Sequence, residues 1–296
     1  MTRGAATLAG FGAVLLWALL ALLTSLSGTV PPFQLAAMTF ALGGLVGLLA
    51  MARRPGAWAA MRQPWPVWAL GVGGLFGYHF LYFSALRAAP AVEASLIAYL
   101  WPLLIVIFSA LLPGERLRWF HVAGAALGFA GAALIVTGGR GLALNPAHAT
   151  GYGFALAAAL VWAGYSVLSR RFAAVPTDIV TGFCLATSAL ALLCHLLLET
   201  WVTPSGAVEW LAIVALGLGP VGLAFFLWDR GVKLGDIQVL GAASYASPLL
   251  STLVLVATGI SPATWTVALA CLLITAGAIL ASKDMLRRPV RRSARG

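Results

Sequence analysis

Charge is what this sequence lacks most. Only 9% of its 296 residues are charged and only eight are acidic, against roughly a quarter charged in an ordinary soluble domain, so a soluble globule is excluded. The eight acids are scattered, with no aspartate pair or cluster and no H-E-x-x-H motif. Intramembrane aspartyl proteolysis and Mg²⁺-dependent prenyl transfer need such clusters, and zinc hydrolases need such motifs. No enzyme activity and no cofactor are therefore expected. Cysteine is scarce too: Cys184, Cys194 and Cys271 are dispersed inside apolar segments without ligand spacing, and they read as small packing residues rather than metal ligands. No lysine or arginine stands in the middle of any apolar segment. Phosphorylated cargo, which needs cationic partners, is thereby disfavoured.

What the sequence has is hydrophobicity, 61% of residues with a mean hydropathy of +0.98. Ten apolar segments can be marked, near 5–27, 31–52, 65–87, 90–111, 118–138, 150–172, 177–199, 207–232, 236–258 and 262–283. Each approaches the ~20 residues that span a bilayer as a helix. An all-α membrane protein with ten transmembrane helices is expected, with the lipid bilayer as its surroundings. The first segment exceeds the ~7–15 residues of a signal-peptide core, and removing it would break the repeat described below. It is read as a retained helix.

The net charge of +10 does not call for nucleic acid. With the N-terminus in the cytoplasm, sixteen of the 18 lysines and arginines fall on the cytoplasmic side, and only Arg87 and Arg140 fall outside. This is the positive-inside asymmetry, which places both termini in the cytoplasm. The basic tail 286–296 is expected to anchor that topology and to touch anionic lipid.

Compared with itself at an offset of 146 residues, the chain shows an internal repeat. "ALGVG" from Ala69 matches "ALGLG" from Ala215, "FLY" from Phe80 matches "FLW" from Phe226, and "YLWPLL" from Tyr99 matches "YASPLL" from Tyr245. Trp119 meets Trp265, "AGAAL" from Ala130 meets "AGAIL" from Ala276, and Trp17 meets Trp162 at an offset of 145. Two five-helix repeats, 1–141 and 150–285, are expected. Because five is odd, the second would enter the membrane inverted, an arrangement typical of secondary transporters with a midplane site. The small-residue spacings Gly43-x-x-x-Gly47, Gly73-x-x-x-Gly77 and Gly124-x-x-x-Gly128 are assigned to close helix packing within a monomer.

The five-plus-five pattern, the "LPGERLRW" after the fourth segment and the glycine-rich fifth and tenth segments resemble the EamA-type drug/metabolite transporters. Within them, the aromatic-rich centre resembles bacterial aromatic amino-acid exporters. The resemblance implies ten helices in inverted halves and export of a small molecule. The sequence departs from the pattern at Ser261, where many members carry a second glutamate matching Glu115.

The eleven tryptophans sort by depth. Trp58, Trp65, Trp68, Trp119, Trp201, Trp210, Trp228 and Trp265 lie at or near segment ends, as an interfacial belt requires. Trp17, Trp101 and Trp162 lie near segment centres, where an indole N–H facing lipid would be unsatisfied. They are expected to turn inward and line a cavity. "GYHFLY" puts Tyr78 and Tyr82 on one helix face with His79 on a neighbouring one, and Tyr99, Ser244 and Tyr245 add hydroxyls at similar depth. These nine residues are the candidate binding site for a small-molecule substrate. Aromatic walls with a few hydroxyls and one imidazole suit an aromatic amino acid or a related amphipathic metabolite. Other metabolites or drugs, and a non-transporting scaffold, are the alternatives. Pro102 and Pro248 each deprive a carbonyl one turn earlier, at Ala98 and Ser244, of its usual donor. Both are candidate hinges. For energy coupling, Glu93 can pair with Arg87 at one mouth and Asp229 with Arg230 or Lys233 at the other. Facilitated diffusion and His79-linked proton exchange both stay open.

Overall fold

Long apolar runs in lipid can satisfy their backbone polar groups internally as helices, and that is what these runs form. The computed structural model describes residues 1–140, 144–259 and 262–283, so the basic tail 286–296 and Ser261 lie outside the described residues. Among the described residues the structure is all-helical, without strands. Nine helical stretches among the described residues are long and apolar enough to cross a membrane, and the protein is a multi-pass membrane protein. They are α1 (Arg3–Leu26), α2 (Pro32–Ala52), α3 (Trp65–Ala88), α4 (Ala91–Leu111), α5 (Trp119–Thr137), α6 (Pro146–Phe172), α7 (Thr177–Leu198), α8 (Ala207–Leu234) and α9 (Ile237–Ala257). A shorter apolar helix, α10 (Trp265–Ala281), follows.

The helix ends follow local chemistry. Thr2 caps α1 by accepting from the Ala5 N–H at 3.2 Å, and Asp236 caps α9 by accepting from the Val239 N–H at 3.2 Å. Pro32 and Pro66 sit in the first turns of α2 and α3, where their missing N–H has no helical partner to lose. Gly138 ends α5 with φ +61°, a left-handed conformation that favours glycine.

Small residues set how closely the helices approach. A β-carbon on Gly277 of α10 would lie 2.5 Å from the Gly124 carbonyl oxygen of α5, and one on Gly231 of α8 would lie 2.5 Å from the Gly10 α-carbon of α1. Gly43 and Gly47 of α2 are similarly tight, against Gly222 and Thr181. The third spacing is different. Gly73 has nothing within 4 Å of its would-be β-carbon and Gly77 meets only Val161, at 3.6 Å, so this pair does not mark a close helix contact.

Four of the long helices are interrupted. Within α4 the chain runs Ala91–Ala98, breaks at Tyr99 and Leu100, and resumes as Trp101–Phe108. Within α9 it runs Ile237–Ala243, breaks at Ser244 and Tyr245, and resumes as Ala246–Ala257. Both breaks stand just before the expected prolines, Pro102 and Pro248. The Ser244 carbonyl is not left free, because it accepts from the Ser247 N–H at 3.0 Å. The other two interruptions were not anticipated. α1 breaks between Arg3–Trp17 and Leu20–Leu26, and α8 widens into a π-helical turn at Gly219–Leu223, around Pro220.

One hydrogen bond joins two of the breaks. The Leu103 N–H donates to the Tyr245 hydroxyl at 3.1 Å, and Tyr245 is fully buried. Tyr245→Phe leaves that N–H unpaired in the interior and is expected to lower stability by about 1–3 kcal/mol. Thermal unfolding of the detergent-solubilised protein measures this. A midpoint equal to the parent's would show that the bond does not support the α4 break.

Candidate functional site

The centre of the bundle is built from tryptophan. Trp17 of α1, Trp101 of α4, Trp162 of α6 and Trp228 of α8 form a tetrad whose ring centroids lie 5.1 to 6.3 Å apart in all six pairings. All four are buried. The interruptions in α1 and α8 serve this packing: the Trp17 indole Nε1–H donates at 3.0 Å to the carbonyl of Pro220, inside the widened turn of α8. A buried indole donor is thereby satisfied by a carbonyl from an irregular turn.

Trp228 corrects the reading by depth. Expected at the interface, it is 0% exposed, and its Nε1–H donates to the Ser166 hydroxyl at 3.1 Å. The sequence did carry a signal for it, since the repeat pairs Trp228 with Tyr82, itself a candidate. Of the other seven tryptophans assigned to the belt, Trp68 is half-buried against Phe183, and Trp58, Trp65, Trp119, Trp201, Trp210 and Trp265 are exposed.

Against the tetrad lies a shelf of half-buried polar aromatics. Tyr78 packs on Trp162 at 5.3 Å and stacks with Tyr82 at 5.9 Å, 6° from parallel. The Tyr82 hydroxyl hydrogen-bonds the Ser95 hydroxyl at 2.9 Å, and Tyr99, at the break of α4, is close to both tyrosines. His79 turns the other way, edge-on to Phe40 at 5.1 Å and Phe225 at 6.2 Å. Its Nδ1 lies 2.7 Å from the Leu75 carbonyl. A carbonyl only accepts, so Nδ1 carries the proton, and in the neutral ring Nε2 is the remaining acceptor. Trp17, Trp101, Trp162, Tyr78, His79, Tyr82 and Tyr99 are thus brought together. Ser244 and Tyr245 are not: both are fully buried, Tyr245 in a separate cluster with Ala125, Leu249 and Ile274, and Ser244 with its hydroxyl donating to the Leu240 carbonyl at 2.7 Å.

Ion pairs tie both ends of the bundle. At the end carrying the N-terminus, Glu115 accepts from Arg3 at 3.1 Å and from Arg170 at 2.9 Å, and Arg3 also reaches Asp236 at 3.0 Å. Arg170 further donates to the carbonyls of Val232 and Gly235. The start of α1, the turn after α4, the end of α6 and the turn before α9 are joined in this way. At the opposite end Glu199, with a side chain only 3% exposed, accepts from Arg87 at 2.8 Å, from the Phe33 and Gln34 backbone N–H groups at 3.1 Å each, and from His195 Nδ1 at 3.0 Å. Arg87 therefore pairs with Glu199 rather than with Glu93, which accepts from the Tyr152 hydroxyl instead. Asp229 pairs with Lys233 at 2.9 Å. Among the described residues no group of His, Cys, Asp or Glu is arranged to hold a metal.

Comparison with known proteins puts this architecture in context. The profile of the EamA-like transporter family matches residues 4–137 and 149–283. An aromatic amino acid exporter, YddG, of Ancylobacter novellus is 58% identical over 285 residues, covering 95% of this chain and 98% of that protein. The protein of the same name from Salmonella typhimurium is 28% identical, over 85% of this chain and 88% of its own. A solved crystal structure superposes with a TM-score of 0.92 at 56% identity, covering 97% of this chain and 100% of that one. The all-helical bundle, its aromatic centre and these matches across nearly the whole length have one reading: the chain belongs to the EamA-like transporter family.

Proposed function

We propose that this protein exports aromatic amino acids and related amphipathic metabolites across the bacterial inner membrane, by alternating access between two inverted five-helix halves, 1–141 and 150–285. The observation that carries the reading is the column of aromatics between two ion-paired ends. The tryptophan tetrad supplies faces and edges for an aromatic ring, and the hydroxyls of Tyr78, Tyr82 and Tyr99 with the His79 imidazole supply neutral hydrogen-bonding partners for a polar head. The name carried by relatives up to 58% identical supports the same substrate class. Helix breaks beside the tetrad, at Trp17–Leu20, Tyr99–Leu100 and Gly219–Leu223, are places where α1, α4 and α8 can bend at small cost. Opening one end requires releasing Glu115, and opening the other requires releasing Glu199. The substrate works as the agent that exchanges these two closures.

Flux of labelled tryptophan in proteoliposomes of the purified chain tests the substrate, and cysteine labelling in cells tests the topology. Tryptophan flux is expected, inhibited by phenylalanine and tyrosine and not by sugar phosphates. Single cysteines near Arg140 are expected to label from outside and ones near Arg170 not to. Absence of aromatic amino-acid flux alongside flux of another metabolite would replace the substrate, labelling of both positions in the opposite sense would reverse the orientation, and labelling of both from the same side would overturn the inverted halves.

A further inference from the structure

Between the tryptophan tetrad and the end carrying the N-terminus lies a second polar group, which substrate binding does not use. Asp229 directly follows Trp228 on α8 and is 1% exposed. Its Oδ1 meets the Lys233 ammonium at 2.9 Å, and the ammonium also donates to the Val175 carbonyl at 3.1 Å. The other carboxylate oxygen, Oδ2, makes no well-formed hydrogen bond, and neither does the buried hydroxyl of Tyr165; the Thr177 hydroxyl stands near Asp229 and the Ser169 hydroxyl near Tyr165. Asp229 and Tyr165 border a cavity walled by Val67, Phe172 and Phe183, with room for roughly one water molecule. A purely structural ion pair would be expected to use all its lone pairs, since each buried polar atom left unmade costs about 1–3 kcal/mol.

The position of this pair matters as much as its chemistry. Tyr165 follows Trp162 by one helical turn and packs on it at 5.3 Å, so α6 and α8 each carry one tetrad indole and one wall of the polar cavity. The groups facing Asp229 are few. Lys233 and Arg230 belong to α8, Thr177 comes from the start of α7, Tyr165 comes from α6, and Cys184 of α7 stands against Tyr165. From α3 the cavity receives only Val67, Leu70 and Gly71. Arg170 and Arg3 are committed to the Glu115 network.

We infer that Asp229 is a proton-binding site that couples substrate export to inward proton movement. The inference rests on the transport reading above. In the arrangement seen here the carboxylate is paired with Lys233. A proton delivered through the cavity bonds to Oδ2, the carboxylate becomes a neutral acid, and Lys233 keeps its ammonium on the Val175 carbonyl, so the site gains one positive charge. The new O–H group can donate to a water held in the cavity, which the Tyr165 hydroxyl also borders. A neutral acid holds the ammonium less strongly. Protonation thus releases Lys233 from Asp229 within α8 and leaves the ammonium held by the Val175 carbonyl in the connection between α6 and α7, directly beneath Trp162 and Trp228.

The test uses the full chain in proteoliposomes, with labelled tryptophan as the probe. A proton gradient directed against tryptophan movement is expected to accelerate wild-type flux several-fold, with protons moving the other way. Asp229→Asn, and the double variant Asp229→Asn/Lys233→Gln, which leaves no unpaired ammonium, are expected to exchange tryptophan without responding to the gradient. A parental gradient response in either variant overturns the inference. Wild-type tryptophan flux with no gradient response and no proton movement also overturns it, and leaves the exporter reading standing. If tryptophan does not move at all, the exporter reading fails, and the proton site is then judged by chemistry. A carbodiimide, which attacks protonated carboxyls in apolar surroundings, should modify Asp229 of the folded protein increasingly as the pH falls. No modification at any pH overturns the site.

Discussion

Gly277→Val is expected to remove most of the folded protein. The nearest atoms to a β-carbon at this position are the Gly124 carbonyl oxygen at 2.5 Å and the Gly128 nitrogen at 3.0 Å, and both belong to the backbone of α5. A side chain can rotate away from such a clash, whereas a helix backbone must move as a whole. Overpacking against side chains costs about 1–3 kcal/mol, and the cost here should lie at or beyond the top of that range. Gly73→Ala is the control. Nothing approaches within 4 Å of its β-carbon, and alanine improves helix propensity by up to about 1 kcal/mol. Monodisperse yield and thermal midpoint in detergent measure both. Equal yields for the two variants would mean that the α5–α10 contact is not as close as described.

The second large effect is expected at Trp162. Its ring touches Trp17, Trp101, Trp228, Tyr78, Tyr165 and Phe225 at centroid distances between 5.3 and 6.3 Å. Trp162→Ala empties the middle of the column and should cost about 3–5 kcal/mol of stability, with tryptophan flux falling in step with the lost centre. Trp265→Ala, at a position 72% exposed, should stay within about 0.5 kcal/mol of the parent and transport normally. Trp162→Phe keeps an aromatic ring and distinguishes packing from contact. Restored thermal stability with transport still impaired would assign the indole to the substrate. Restored transport would assign it to packing alone. Equal losses in Trp162→Ala and Trp265→Ala would remove the argument that the centre matters.

The helices were legible because their cause is local. Apolar length sets the spans, and proline and glycine punctuate them, so the expected segment 207–232 became Ala207–Leu234 and 177–199 became Thr177–Leu198. Breaks announced by a proline, in α4 and α9, were legible as well. The break in α1 was not, because nothing in "LLWALL" forbids a helix. It accompanies a tertiary contact, the bond from Trp17 to the Pro220 carbonyl. Trp228 was misplaced for a related reason. Its depth was judged by its distance from the segment end, but that end is drawn inward by the buried Asp229–Lys233 pair. Ser244 and Tyr245 show what a repeat leaves undetermined. The alignment equates Tyr245 with Tyr99, yet Tyr99 is half-buried beside the shelf while the Tyr245 hydroxyl is bound to the Leu103 N–H. A repeat transmits backbone geometry, whereas the partner of each hydroxyl depends on which helix happens to face it.

The tetrad also makes the protein its own spectroscopic probe. Four indoles with centroids 5.1 to 6.3 Å apart couple their electronic transitions, so their near-ultraviolet circular dichroism belongs to the group and depends on the mutual angles of the rings. Among the described residues the exposed indoles Trp65, Trp119 and Trp265 pair with no other indole, so they add no coupled indole signal. Any rearrangement that turns one ring of the group by a few tens of degrees changes the sign or size of the coupled signal. Motion at the centre of the bundle can therefore be followed in unlabelled protein through the coupled circular-dichroism signal of the group, although the other seven tryptophans absorb the same light.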